Sequence, residues 1–349
     1  MAFTAAATRE ARSERPIALW LIACCAMIFL MVVIGGVTRL TESGLSITEW
    51  RPVAGVLPPL DQAQWQAEFE KYRAIPQYRA LHAGMTLAEF KRIFFWEYLH
   101  RLWGRLIAVV FAVPFAYFLL RGRIPRQLAP RLAGLLILGG LQGALGWYMV
   151  ASGLSERIEV SQYRLAAHLL LAVIIYIAAL WVALDLLAMR AEPMRDRRAG
   201  RLRRGLDLVL GLVLLTIAAG AFVAGLRAGY IYNTFPLMAG GIVPAEYGHL
   251  APWWLNAFEN PAAAQFDHRL LAELTWLAAA LLWLYGFRLD LAPRRRTALH
   301  VLFAVATLQA ALGIATLVLV VPLPLAVAHQ AGAMLLVTAA VAARHALRR

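Results

Sequence analysis

Apolar runs, each long enough to cross a hydrocarbon layer of about 30 Å, fill most of this chain and leave it few ways to fold. They cover residues 16–38, 93–120, 132–155, 165–184, 208–226, 266–287, 297–321 and 326–343, here numbered spans 1 to 8. In lipid, backbone groups must satisfy one another within the segment, so runs of this length become helices. Of 349 residues, 61% are hydrophobic and 15% charged, a composition of multi-span membrane proteins. Span 1 follows Arg9, Arg12 and Arg15 as a secretory signal would, but its run is longer than a signal core and no small-residue cleavage site follows. The expected class is an all-α integral membrane protein with eight transmembrane helices.

A net charge of +14 raises the question of nucleic acid. The placement of arginine answers it. Eight spans put both ends of the chain on one side. The arginines at 9, 12, 15, 121, 123, 126 and 131, those between 190 and 204, and those at 288, 294–296, 344, 348 and 349 all fall in short connections or tails on that side. By the positive-inside rule that side is cytoplasmic, and no nucleic acid is needed to explain the charge. The two long connections, 39–92 and 227–264, then face outward. Within the first, 62–72 and 86–95 are expected to form short amphipathic helices at the membrane surface, and its length marks it as functional. Cys24 and Cys25, the only cysteines, sit side by side in span 1 and read as small buried hydrophobes.

The chain repeats itself. Leu141-Gln142-Gly143-Ala144-Leu145-Gly146 in span 3 matches Leu308-Gln309-Ala310-Ala311-Leu312-Gly313 in span 7. Glu97-Tyr98-Leu99-His100-Arg101-Leu102 in span 2 matches Gln265-Phe266-Asp267-His268-Arg269-Leu270 in span 6 at nearly the same offset. Each half holds an even number of spans, so both keep one orientation. This predicts two tandem four-helix bundles related by a pseudo-two-fold axis along the membrane normal, residues 1–197 and 198–349.

His100, His168, His268 and His329 each lie near the outer start of an even-numbered span. Two histidines on facing helices of a bundle are the usual axial pair for a haem. A lone intramembrane histidine is more often a satisfied core residue, but four at equivalent places are harder to read that way. His82, His249, His300 and His345 lack such partners and read as surface residues. Arg39, Arg101, Arg105, Arg164 and Arg269 are either interfacial anchors or neutralisers of haem propionates. The pairs Gly35-Gly36 and Gly139-Gly140 read as close helix contacts. At the repeat, Glu97 becomes Gln265: only the first half keeps a carboxylate one turn before its histidine. Such a group can act as a general base, or simply pair with Arg101 four residues on.

Together these stretches resemble the haem A synthase family. The likeness rests on Gly35-Gly36-Val37-Thr38-Arg39-Leu40-Thr41-Glu42-Ser43-Gly44-Leu45-Ser46, on the motif from Glu97 to Arg105, on Leu141 to Val150 with Ser152-Gly153-Leu154, and on the four histidines. It implies an oxidoreductase that converts the C8 methyl of haem O to a formyl group, giving haem A for cytochrome oxidase assembly. It implies a resident haem b on His268 and His329, substrate haem O on His100 and His168, and Glu97 as the catalytic carboxylate. It also implies a multi-pass protein of the cell inner membrane with haem sites toward the periplasm. Haem O synthase and cytochrome oxidase assembly factors are expected partners, and the apolar outer faces can meet lipid or a second copy. Some family members carry a cysteine pair in the first outer loop; this chain has none. The alternative is a di-haem b-type cytochrome oxidising quinol, whose haem pairs usually lie one above the other rather than near one face. A two-repeat transporter would place polar groups at mid-membrane. A prenyltransferase would need clustered aspartates, and Asp61, Asp185, Asp196, Asp207, Asp267 and Asp290 are scattered.

Overall fold

The computed structural model describes residues 2–50, 54–154, 158–187 and 197–348. The basic stretch 190–196 lies outside them, as do Ser155, the expected end of span 3, and Arg349. Among the described residues eight helices are long and apolar enough to cross a membrane. They are Glu14–Leu40, Leu87–Leu120, Ala129–Ala151, Gln162–Leu187, Gly200–Gly225, Pro261–Gly286, Pro293–Val318 and Leu323–Ala346, spans 1 to 8 in order. No β-strand forms among the described residues; Met238 and Gly241 make an isolated bridge.

Several boundaries differ from the sequence reading, among them the start of span 5, at Gly200 rather than 208. The expected surface helix at 86–95 is instead the outer end of span 2. Thr86 caps that helix in a reciprocal box with Glu89, and no Gly or Pro interrupts residues 87–103, so nothing stops one helix from Leu87 to Leu120. Span 3 ends at Ala151, earlier than expected. There the Ser152 hydroxyl donates to the Met149 carbonyl at 2.6 Å and accepts from the Ser161 amide at 3.0 Å, turning the chain back. Gly153 follows, pressed so closely on Leu45 that a Cβ would meet its side chain at 2.7 Å.

In the first half, span 1 packs on spans 2 and 4, span 3 packs on span 4, and spans 2 and 3 touch more sparingly. In the second half, span 5 packs on spans 6 and 8, and span 7 on spans 6 and 8. The halves meet where span 4 contacts span 5, span 8 contacts span 1, and spans 4 and 8 touch. Every one of these contacts has its counterpart when each span is exchanged for its repeat. The central seam is built from small and branched residues: Cys24, Cys25, Val173, Ala179, Ala183, Val337, Ala340 and Ala343 are all buried in one cluster. Both cysteines are free and buried, as expected. Gly36 lies against Gln330 at the contact of spans 1 and 8, in keeping with its reading as a helix contact, but Gly139 and Gly140 face open space with nothing within 4 Å.

Pro114 inside span 2 has no N–H to give the Val110 carbonyl one turn earlier. Trp20 of span 1 supplies the missing donor, its Nε1 lying 2.7 Å from that oxygen. Trp20→Phe should therefore orphan a half-buried carbonyl and cost about 1–3 kcal/mol. Thermal unfolding in detergent should show the loss, and it should largely vanish in a Pro114→Ala background, where the backbone bond is restored. Equal losses in both backgrounds would show that ring packing, not the hydrogen bond, matters.

The first outer loop is a small domain of its own. Asp61 caps helix Gln62–Arg73 by accepting from the Gln64 amide, and helix Pro76–Leu81 follows. Phe69 and Tyr72 stack on Phe90 of span 2 with ring centres 5.0 and 5.4 Å apart, and Leu45, Ile75 and Phe94 complete the cluster. The loop thus sits on the outer extension of span 2. In the second outer loop, Asn260 caps span 6, accepting from the Ala262 amide at 2.9 Å while its Nδ2 donates to the Glu246 carbonyl.

Two histidines read as surface residues are not. His345 is 4% exposed, its Nε2 at 3.0 Å from Asp185 of span 4, with Arg348 on the same carboxylate. His82 is half-buried between the Tyr72 hydroxyl and Glu42. His249 and His300 are exposed.

Candidate haem sites

Each of the four repeated histidines lies against a glycine of the preceding span. A Cβ on Gly35, Gly146, Gly220 or Gly313 would come within 3.2, 2.9, 3.0 and 2.9 Å of the rings of His100, His168, His268 and His329 respectively. No larger residue fits there without moving the imidazole. The glycines let each imidazole pack directly against its neighbour helix.

In the second half, the His268 and His329 ring centres are 6.4 Å apart and nearly perpendicular, at 84°. An imidazole nitrogen binds a metal at about 2 Å, so two rings on opposite sides of one metal have centres about 6 Å apart. Among the described residues no group of three or more His, Cys, Asp or Glu gathers to hold a metal ion. Two imidazoles without further protein ligands suit a metal whose other positions come from a macrocycle, as in haem, and do not suit structural zinc.

The rings differ in what fixes them. His268 Nδ1 lies 3.0 Å from the Thr216 carbonyl, so it donates there and leaves the Nε2 lone pair for a ligand. Gln309 Nε2 lies 3.1 Å from His329 Nδ1 and donates to the His329 carbonyl at 2.9 Å. Gln142 repeats this on His168, at 3.1 and 3.0 Å. No described residue hydrogen-bonds the His100 ring, which turns its Nε2 rather than its Cε1 toward the glycine. The glutamines lie inside the repeated hexapeptide, where the sequence offered them only as alignment markers.

Glu97 is 2% exposed and fully engaged. One oxygen accepts Arg101 Nη2 at 2.6 Å and Nε at 3.0 Å; the other accepts the Ser46 hydroxyl at 2.8 Å and the Ile47 amide at 2.7 Å. Arg101 goes on to donate to the Ile47 and Glu49 carbonyls. The acid and arginine together clamp the start of the first outer loop onto span 2. The second half has the same clamp in neutral form. Gln265, also 2% exposed, donates to the Ala228 and Ile231 carbonyls and accepts from Arg269, which donates to Tyr232 and Thr234 carbonyls.

The candidate propionate arginines are thus largely spoken for. Arg101 and Arg269 hold loops. Arg164 donates to the Tyr148 carbonyl at 2.6 Å and lies 3.6 Å over its ring. Arg105 is half-buried one turn beyond Arg101. Arg39 pairs with Glu159 at 2.7 Å, and Arg227 bridges Glu159 to Glu42. This ion-pair chain ties the ends of spans 1 and 5 to the connections that hold Glu42 and Glu159, and so links residues of both halves. The sequence did not reveal it, because its members are isolated charges in separate loops.

The model of the COX15-CtaA family, described as a cytochrome oxidase assembly protein, matches residues 18–341. The chain is similar to proteins named Heme A synthase. One from Rhodospirillum centenum is 54% identical over 340 residues, covering 97% of this chain and 90% of that protein. One from Azorhizobium caulinodans is 53% identical over 340 residues, with 96% and 95% covered, and one from Nitrosospira multiformis is 51% identical over 340 residues, with 96% and 94% covered. With the paired histidines, their glycine seats and the two loop clamps in place, this agreement over nearly the whole length shows that the chain belongs to the COX15-CtaA family.

Proposed function

We propose that the protein is a haem A synthase: it takes haem O as substrate and oxidises its C8 methyl to a formyl group by successive hydroxylation, releasing haem A. The observation that carries the reading is four histidines at corresponding places on even-numbered spans, each against a glycine of the preceding span, with Glu97 in the first half where Gln265 stands in the second. The relatives' name and full-length similarity support it.

In this reading the first half, with its outer loop 39–92, holds haem O between His100 and His168. The second half holds a resident haem b between His268 and His329, whose iron supplies one-electron transfer when bound. Oxidising a methyl removes protons along with electrons. Glu97 is the residue proposed to receive or relay a proton, and Arg101 holds that carboxylate in place while fastening the loop that shields the site from water. Gln265 binds no proton at the equivalent place, which suits a half that only passes electrons. Arg39, Arg101, Arg105, Arg164 and Arg269 put positive charge around the outer ends where propionates would lie. Arginine-rich short connections support an inner-membrane topology with cytoplasmic termini and the haem sites toward the periplasm. Delivery of haem O by its synthase and hand-over of haem A to oxidase assembly factors would be the corresponding partnerships, with lipid or a second copy on the apolar flanks.

Pigment extraction from the purified protein tests the reading. Haem B accompanied by traces of haem O and haem A is the expected content. Haem B alone, at two per chain, would instead identify a di-haem cytochrome.

A further inference from the structure

We propose that an aromatic seam between spans 6 and 7 keeps the second-half haem resident, and that the lack of this seam between spans 2 and 3 leaves a sideways entrance for the substrate haem. The proposal rests on the haem O reading above and adds how each half holds or exchanges its haem. Trp276 and Trp283 lie seven residues apart, on one face of span 6. Trp276 donates its Nε1 proton to the Thr307 hydroxyl at 3.1 Å and packs on Phe303, with ring centres 6.2 Å apart. Trp283 stacks on the same Phe303 at 4.5 Å and donates to His300 Nδ1 at 2.7 Å. His300, Phe303 and Thr307 follow one another by three and four residues and form one stripe of span 7. Trp276, His300 and Thr307 are exposed, so the seam closes the two helices at their lipid-facing edge.

The first half has none of this. His268 follows His100 by 168 residues, and Leu308 follows Leu141 by 167. At those offsets Trp276 and Trp283 become Ala108 and Phe115, while His300, Phe303 and Thr307 become Ala133, Leu136 and Gly140. Both indole donors and both acceptors are gone. Phe115 turns instead to Phe111 of its own helix. Ala108, Leu136 and Gly140 are exposed, and a Cβ on Gly140 or Gly143 would meet nothing within 4 Å. Spans 2 and 3 accordingly touch sparingly where spans 6 and 7 pack closely. At their outer ends a cavity of about 90 Å³ separates Arg101 of span 2 from Trp147 and Val150 of span 3, with Trp50 of the first loop beside it. The opening lies at the depth of the site, because Gly146, which seats His168, is only three residues from Gly143.

Haem O carries a long isoprenoid chain and belongs in the bilayer. A sideways entrance lets the macrocycle reach His100 and His168 while the chain stays in apolar surroundings, so neither is transferred to water. Arg101 at the outer end of that route matches the charge of the propionates. In the second half, a haem leaving by the same route must first part both tryptophans from span 7.

The test is the rate at which the purified protein gives up its resident haem to excess apomyoglobin, read by absorbance, together with uptake of haem O added in detergent micelles. Trp276→Ala with Phe303→Leu puts the first-half residues into the seam. Removing those ring contacts and the indole hydrogen bond should speed loss of the resident haem about 10–100-fold, with its low-spin spectrum unchanged before loss. Ala108→Trp with Gly140→Thr builds the seam into the first half. It should slow haem O uptake by a similar factor and leave loss of the resident haem at the wild-type rate. Wild-type haem loss in the first double variant, or wild-type haem O uptake in the second, would overturn the proposal. So would an equal rise of haem loss in Trp20→Phe, which weakens the fold away from the seam. If the first double variant does not fold, Trp276→Phe, which drops the bond to Thr307, decides by the same readout, with a rise of about 3–10-fold expected. Wild-type protein that takes up no haem O overturns the haem O reading instead, and the apomyoglobin measurement still decides the seam.

Discussion

Glu97→Gln is expected to lower haem A formation from haem O by about 10²–10⁴-fold, the usual worth of a positioned general acid or base, while the resident haem keeps its spectrum. The carboxylate's position explains the expectation and sharpens it. Its two oxygens take four donors, from Arg101, Ser46 and the Ile47 amide. An amide retains one accepting oxygen but turns an NH2 toward groups that are themselves donors. Some loss could therefore come from a loosened loop rather than from a missing proton acceptor. Ser46→Ala separates the two, because it removes one loop tie and leaves the carboxylate. If Glu97→Gln abolishes conversion while Ser46→Ala costs little, and limited proteolysis of the 39–92 loop is alike in both, the acid takes part in proton transfer. If the two variants lose activity and loop protection in parallel, Glu97 is a fastening residue and the catalytic role goes. The reciprocal change, Gln265→Glu, is not silent in this structure: it would aim a buried carboxylate at the Ala228 and Ile231 carbonyls.

The architecture was legible because lipid leaves a chain so few options. Run length gives the eight helices. Boundaries were less legible where the cause was a single side-chain bond. The Thr86–Glu89 cap carries span 2 outward to Leu87, and the Ser152 hydroxyl ends span 3 at Ala151. Sequence also cannot say which isolated polar residue finds a partner across the chain. His345 sits 160 positions from Asp185 and Arg227 sits 185 from Glu42, so both were invisible as pairs. For the same reason Arg101 and Arg269, legible as cations near the site, were not legible as loop clamps. Gln142 and Gln309 stood in plain sight in the repeat. Their contact with His168 and His329 needed the next helix to be placed beside them.

The largest spectroscopic effect belongs to the histidines of the second half. His268→Ala or His329→Ala should each remove the low-spin b-type signal, because the pair stands 6.4 Å apart with no third metal-binding side chain beside it among the described residues. His100→Ala and His168→Ala should keep that signal and lose haem A formation. The structural cause is the same in all four: alanine removes an imidazole that is seated on a glycine of the preceding span.

Haem content and reduced spectrum of those four purified variants, read side by side with conversion of haem O in membranes, test the division of labour between the halves most directly. The account predicts loss of resident haem b in the second-half pair only, and loss of conversion with haem b intact in the first-half pair. Retention of the b-type signal in both His268→Ala and His329→Ala, or its loss in His100→Ala or His168→Ala, would contradict it.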